Sequence, residues 1–191
     1  MITADQIREL FAELLDRISD ETLRDQVVEA WVLACKEGGW TDLEQVKKMP
    51  FTLLTDCGNV GFVEHTIAVT LGAVGIVQAQ ESAYEEMPYA VDHDRLVAGG
   101  LLHDVGKLLE IEEDGQGGYR RSHSGRCTRH PISGTVIADR VGIPIEIQNI
   151  IACHSREGDG RPKVVETIFI HQADFAAFDP FTMRASGTLI E

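Results

Sequence analysis

Along the first fifty positions apolar residues recur at intervals of three and four. Ile7, Leu10, Phe11, Leu14, Leu15 and Ile18 form one such stripe, the pattern of an amphipathic helix. Thr3-Ala4-Asp5-Gln6 ahead of it fits a capping box, with Thr accepting from the N3 amide and Gln reaching back. Leu23, Val27, Val28, Trp31, Val32 and Cys35 mark a second helix from about Asp20, closed by Gly38-Gly39. Thr41-Asp42-Leu43-Glu44 opens a short third helix that Pro50 stops, and 52–61 reads as a loop. A largely apolar helix is predicted over 62–80, with His65 near its start; Gly72 and Gly75 lower its propensity, so packing must sustain it. Asp92 or Asp94 caps the next helix, which carries Leu96, Val97, Leu101 and Leu102 and continues into His103-Asp104. Periodicity breaks over 111–126, where four glycines predict a loop or a small hairpin over a cleft. Helices resume over 131–141, 144–154 (Pro144 in the first turn) and 163–177, and Asp179-Pro180 begins a tail. With no alternating strand series, the expected fold is all-α. It divides into an N-terminal helical segment (1–58) packed on the core, a helical bundle (59–180) and a tail (181–191), together one globular unit.

Composition narrows the function classes. The 191 residues carry a net charge of −14, which opposes binding to a nucleic acid duplex or to an anionic membrane across the whole surface. The longest uncharged apolar stretch, about 66–80, is short for a membrane span and contains Thr and Gln, so a buried central helix is expected. The opening Met1-Ile2-Thr3-Ala4-Asp5 lacks the order of a secretory leader. Cys35, Cys57, Cys127 and Cys153 form no CxxC pair, which fits reduced thiols in a cytoplasmic protein. Assembly into a homo-oligomer is compatible with this sequence.

The chemistry gathers at Leu101-Leu102-His103-Asp104-Val105-Gly106-Lys107. With 7 His in the chain, chance alone gives roughly half of a His-Asp dipeptide, so the pair by itself says little. Its apolar setting says more, because an unpaired buried carboxylate costs several kcal/mol to desolvate. Buried Asp is ordinarily paired or bound to a cation. His65, His130, His154 and Asp174 lie on four other predicted segments and supply further donors of the same kind. A competing scheme, Cys127-x-x-His130 with Cys153-His154, would make a structural zinc site, but adjacent Cys-His ligands fit usual zinc spacing poorly.

With His65, His103-Asp104 and Ala173-Asp174 in the order His, His-Asp, Asp, the chain resembles the HD superfamily of metal-dependent phosphohydrolases over roughly residues 60–180. His130 and His154 resemble the two extra histidines of its dinuclear branch. The resemblance implies an HD-domain helical bundle in which His65, His103, Asp104 and Asp174 hold one cation. Asp104 would bridge to a second held by His130 and His154. It favours iron or manganese, while ligand type alone is also compatible with zinc, nickel, cobalt or magnesium. Two such ions sharing a water would activate it as hydroxide for in-line attack on a phosphomonoester or phosphodiester, nucleotide-like in character. Some relatives with the same six ligands are instead mixed-valent di-iron oxygenases that cleave C–C or C–P bonds, and the ligand set does not separate the two.

Lys107 is placed to hold a phosphate oxygen as a point charge. Arg120, Arg121, Arg126 and Arg129 precede His130, and Arg156, Arg161 and Lys163 follow His154. Among these, Arg129 and Arg156 are candidate contacts to a small anionic phosphorylated substrate. His171, one turn before Asp174, is a candidate partner for it; His123 lies in the glycine-rich loop, His93 is expected at the surface, and Glu64 beside His65 is expected to be exposed. The segment 155–162 is a candidate gate. It resembles the loop after the paired histidines of HD-GYP phosphodiesterases but has Cys153 in place of the first histidine and lacks Gly-Tyr-Pro.

Overall fold

Thr3 begins the first helix as its sequence predicts: its side chain accepts from the Gln6 amide, and Gln6 Oε1 accepts the Thr3 N–H at 3.0 Å. This is the computed structural model of the chain; it describes residues 1–158 and 162–190, with Glu157 described through its backbone. The predicted first helix is interrupted at Phe11, giving α1 (Ala4–Leu10) and α2 (Ala12–Leu15). The Phe11 backbone leaves helical geometry there while its buried ring packs on Trp31 at 4.7 Å. α3 (Glu21–Gly38) is capped by Asp20 and ends on left-handed Gly39, a conformation that glycine enters at no steric cost. Asp42, rather than Thr41, caps α4 (Leu43–Lys48).

The central helix α5 (Phe62–Ala83) packs against α6 (His93–Leu102) and α11 (Val165–Ala185). Its 22 residues make it long and apolar enough to cross a bilayer, but half of its most apolar stretch is buried inside the protein. α6 starts on an Asp92 cap and ends at Leu102, so the predicted run through His103-Asp104 is cut. Residues 103–106 form a turn before the one-turn helix α7 (Lys107–Glu110). The ambiguous glycine-rich stretch is a hairpin of β1 (Ile111–Glu113) and β2 (Tyr119–Arg121), with Ile111 opposite Arg121. The short α8 (His123–Cys127), then α9 (His130–Arg140) and α10 (Ile145–Cys153), lead to a 3-10 turn at Arg156–Gly158.

The tail expected from Asp179-Pro180 is instead helical, because α11 passes through Pro180 to Ala185. A mid-helix proline costs about 3 kcal/mol. Phe178 and Phe181 flank it and meet the Phe51 ring edge-on at 6.4 and 5.4 Å, and the second of these contacts lies beyond the proline, where the continued helix carries Phe181. Among the described residues the all-α expectation holds, with the two-stranded hairpin as its small exception.

Residues 1–58 share one apolar core with the bundle. Trp31 sits between Phe11 and Phe62, and its indole N–H donates to the Leu101 carbonyl at 2.9 Å. Trp40 donates to the Leu108 carbonyl at 2.7 Å. Carbonyls at a helix end lack intrahelical partners, so the two tryptophans supply donors on either side of the broken segment 103–106. Asp94 adds a polar tie, accepting from the Ser19 hydroxyl and from the Ser19 and Asp20 amides at 2.7–2.9 Å.

Two glycines allow the close approaches that aim the segment. A Cβ on Gly100 would lie 2.7 Å from Thr70 Oγ1 on α5, and one on Gly106 would lie 2.2 Å from the His130 carbonyl and 2.6 Å from the Gly134 amide on α9. The chain at Gly106 therefore rests directly on the backbone of α9.

Two outcomes follow from this packing. Gly106→Ala should cost about 1–3 kcal/mol, the usual range for overpacking, read as a lower urea midpoint with unchanged m-value. For Asp94, burial pushes the carboxyl up, but the bonds from Ser19 and Asp20 and the nearby Arg24 more than offset this and hold it below its usual 3.8. Its contribution is therefore complete above that value and is lost as pH falls through the lower folded value. Asp94→Ala should cost about 1–2 kcal/mol at pH 7. The gap to the parent should be constant down to about pH 5 and shrink below 3.8; an equal gap at all pH values would refute the tie.

Candidate metal centre

Three of the four core histidines sit at helix ends, and two use the same device. His103 caps the C-terminus of α6 and donates Nδ1–H to the Gly100 carbonyl at 2.6 Å; His154 caps α10 and donates to the Ile151 carbonyl at 2.8 Å. Each satisfies an otherwise orphaned carbonyl of its own last turn. Each is thereby fixed as the tautomer with a bare Nε2 lone pair turned inward. His130 opens α9 and donates Nδ1–H to Glu110 Oε2 at 2.9 Å. His65 lies in the first turn of α5, its ring stacked on Phe51 at 4.3 Å and 11°.

These four imidazoles surround Asp104, which is 1% exposed. Its two oxygens face different pairs. Oδ2 lies 3.5 Å from His65 Nε2 and 3.3 Å from His103 Nε2, whereas Oδ1 lies 3.2 Å from His130 Nε2 and 3.4 Å from His154 Nε2. Asp174 of α11 joins the first pair, its Oδ1 3.1 Å from His65 Nε2. His65, His103, Asp104 and Asp174 thus offer donor atoms within 4.8 Å of one another, as do Asp104, His130 and His154. Neither Cys127 nor Cys153 belongs to either group; Cys127 is exposed and Cys153 Sγ accepts from Asn149. The cysteine scheme therefore fails, because its thiols lie outside the two clusters.

The donor set suits a cation. The Nε2 atoms of His65, His103 and His154 and Asp104 Oδ1 are buried without a hydrogen bond of normal geometry, with neighbouring atoms 3.1–3.5 Å away, whereas Asp104 Oδ2 is met by the Lys107 ammonium. Lone pairs that converge without hydrogen between them are what a bound cation requires.

The protonation preferences agree. Burial pushes Asp104 up, yet Lys107 and the surrounding imidazoles reverse this and hold it well below the usual carboxylate range. Burial likewise raises Asp174, but the His65 contact brings it down to about 2. Burial disfavours protonated His65, and the two carboxylates beside it outweigh that and raise its pKa. His130, with burial dominant, is lowered and stays neutral. Two ionised carboxylates, Asp104 buried and Asp174 partly buried, demand positive charge here from a proton or from a metal.

Lys107 was expected to reach a substrate; its Nζ lies 2.5 Å from Asp104 Oδ2, and it also lines the adjoining cleft. This cleft, of about 480 Å³, has a basic wall of Lys107, Arg121, Arg129 and Arg156. Phe51, Leu53, Leu54, Phe175 and Phe178 line it as well, with the Lys107 ammonium 5.9 Å from the centroid of the Phe51 ring. His130 and Asp174 form part of its floor. Arg156 lies over the Phe175 ring, 6.0 Å from its centroid. Arg120 instead pairs with Glu112 across the hairpin, and neither Arg126 nor Lys163 lines the cleft. Arg161, and with it part of the expected gate, lies outside the described residues.

Other expectations resolve simply. His171 donates Nδ1–H to the His154 carbonyl at 2.6 Å, not to Asp174. His123 is exposed away from the cleft, exposed His93 contacts Glu81, and exposed Glu64 caps α5 by accepting the Gly61 amide.

Glu110 is the residue that sequence reasoning missed. It is 6% exposed, accepts both the His130 amide and its Nδ1–H through Oε2, and turns Oε1 towards Arg121 and Arg129 at 3.6 and 3.4 Å. Burial raises its pKa, but the His130 bonds and Arg129 prevail and lower it. Its signal was its position, one helical turn beyond Lys107 on the same short helix.

A family model described as the HD domain matches residues 62–177. The chain is 29% identical over 117 residues to the dihydroneopterin 2',3'-cyclic phosphate phosphodiesterase of Methanocaldococcus jannaschii, covering 61% of this chain and 45% of that one. It is 33% identical over 109 residues to ribonuclease Y of Pseudothermotoga lettingae, covering 56% of this chain and 18% of that one. The chain thus spans less than half the length of either relative. No solved structure gives a significant match. The matched span contains all six converging side chains and the segment that holds Asp104, and this chain belongs to the HD domain family.

Proposed function

We propose that the chain is a metal-dependent phosphohydrolase acting on a small phosphomonoester or phosphodiester with a nucleotide-like ring. In this reading His65, His103, Asp104 and Asp174 hold one cation, Asp104, His130 and His154 hold a second, and iron or manganese is the preferred metal. The observation that carries it is the division of the Asp104 carboxylate, one oxygen turned to each pair of imidazoles. The relatives named a phosphodiesterase and a ribonuclease support hydrolysis rather than oxygenation.

When bound, such cations supply a water of lowered pKa and neutralise charge on a leaving oxygen. The chain's own residues do the rest. The carbonyls of Gly100 and Ile151 and the carboxylate of Glu110 hold three imidazoles in one tautomer, so their Nε2 atoms are preorganised rather than recruited on binding. Lys107, Arg129 and Arg156 present positive charge to a phosphoester entering the cleft. The aromatic side chains Phe51, Phe175 and Phe178 line the same cleft and suit a flat ring. A cleft of about 480 Å³ accepts a compound of mononucleotide size and leaves a nucleic acid duplex outside.

Asp104→Ala should lose bound metal from both positions, whereas His154→Ala should retain the first cation. Elemental analysis of the purified variants decides it, and parental metal content in Asp104→Ala would rule out a shared ligand. In a screen of nucleotides, 2',3'-cyclic phosphates and simple phosphoesters with manganese or iron, release of product should proceed equally without oxygen. Strict dependence on O₂ would place the chain with the oxygenases instead. Arg129→Gln should raise KM for the best substrate about tenfold, the worth of one charge-assisted hydrogen bond.

A further inference from the structure

Glu110 divides its carboxylate between two tasks, and its position makes the division consequential. Oε2 takes both the backbone amide and the ring Nδ1–H of His130 at 2.8 and 2.9 Å. Oε1 faces the guanidinium groups of Arg121 on the hairpin and Arg129 ahead of α9, both of which line the cleft. The site is built to keep the carboxylate where it is. A Cβ on Gly125 would lie 2.8 Å from both Cα and Cγ of Glu110, and the Ser122 amide donates to the Glu110 carbonyl at 2.9 Å. His103 and His154 instead rest on neutral backbone carbonyls. His130 is thus set apart from His103 and His154 by having a charged support shared with the substrate-side arginines.

We infer that Glu110 is a positioning residue for the second cation that also restrains the anion-binding arginines of the cleft. Through Oε2 it sets the tautomer and aim of His130 and raises the basicity of its Nε2. Through Oε1 it neutralises part of the charge of Arg121 and Arg129, keeping them ordered and moderating their hold on phosphate. Removing the carboxylate charge should therefore act in opposite directions, weakening one cation position and strengthening anion binding. Simple loss of structure would weaken both. The inference rests on the two-cation reading above.

The test uses the full chain, titrated with manganese(II) and followed by electron paramagnetic resonance. The parent should show two binding events. Glu110→Gln should leave one unchanged and weaken the other about 10- to 100-fold, and the weakened event should be the one absent from His154→Ala. With chelator-treated protein, calorimetry with inorganic phosphate should show Glu110→Gln binding about two- to fivefold more tightly than the parent, the worth of one partly exposed ion pair. Glu110→Asp keeps the charge but shortens its reach, so it should weaken the same manganese event without tightening phosphate; it also serves if the Gln variant does not fold. Two equal manganese events in Glu110→Gln overturn the inference and leave the two-cation reading standing. A single event in the parent overturns both. Phosphate binding that weakens in Glu110→Gln overturns the restraint of the arginines.

Discussion

A carboxylate that is almost wholly buried must be surrounded by compensating charge or by donors, and Asp104 meets this requirement from several directions. Four imidazoles and one lysine face it from α5, the end of α6, α7, the start of α9 and the end of α10. Desolvating such a group alone would cost several kcal/mol. The helices are thus arranged around a point of concentrated charge, and the lone pairs left without hydrogen at that point are the feature a cation satisfies. Each oxygen has its own set of neighbours, which makes this carboxylate a natural joint between two donor groups.

The surroundings explain how the point is held. α6 stops at Leu102, freeing its last carbonyls, and the molecule uses them twice. The Gly100 carbonyl orients His103, while the Leu101 carbonyl takes the indole N–H of Trp31 from α3. Trp40 grips the chain again at Leu108, and Phe51 covers the His65 ring. Residues 1–58 thereby act as a clamp on the centre, and the apolar core they share with the bundle supplies the rigidity that preorganised donors need.

The cleft beside the centre divides a strongly acidic protein into unlike surfaces. A net charge of −14 surrounds an opening with four basic side chains. Positive charge is therefore concentrated locally against an acidic background, with Glu110 and Asp174 in the same lining. Apolar side chains line the same cleft, among them the largely exposed Leu54.

Much of the helical framework was legible in the sequence because caps and stripes act over three or four residues. Thr3-Gln6, Asp20, Asp92 and Gly39 end or begin helices by contacts within one turn. The six residues of the two clusters were legible by type and order, through resemblance to a family, but not by location. Their meeting depends on contacts between segments 20 or more residues apart, which no local pattern encodes. The same limit hid Glu110, whose partner His130 is 20 positions away, and the clamp of Trp31, whose acceptor is 70 away. It also misdirected the reading of Pro180, where a local helix breaker is overruled by aromatic packing on Phe51. Sequence alone determined most of the helical stretches and, through the family order, which side chains are candidates for the chemistry. Only tertiary structure decided that α6 breaks before Asp104, which carbonyls and carboxylates orient each imidazole, and what lines the cleft, because burial and distant partners set those energies.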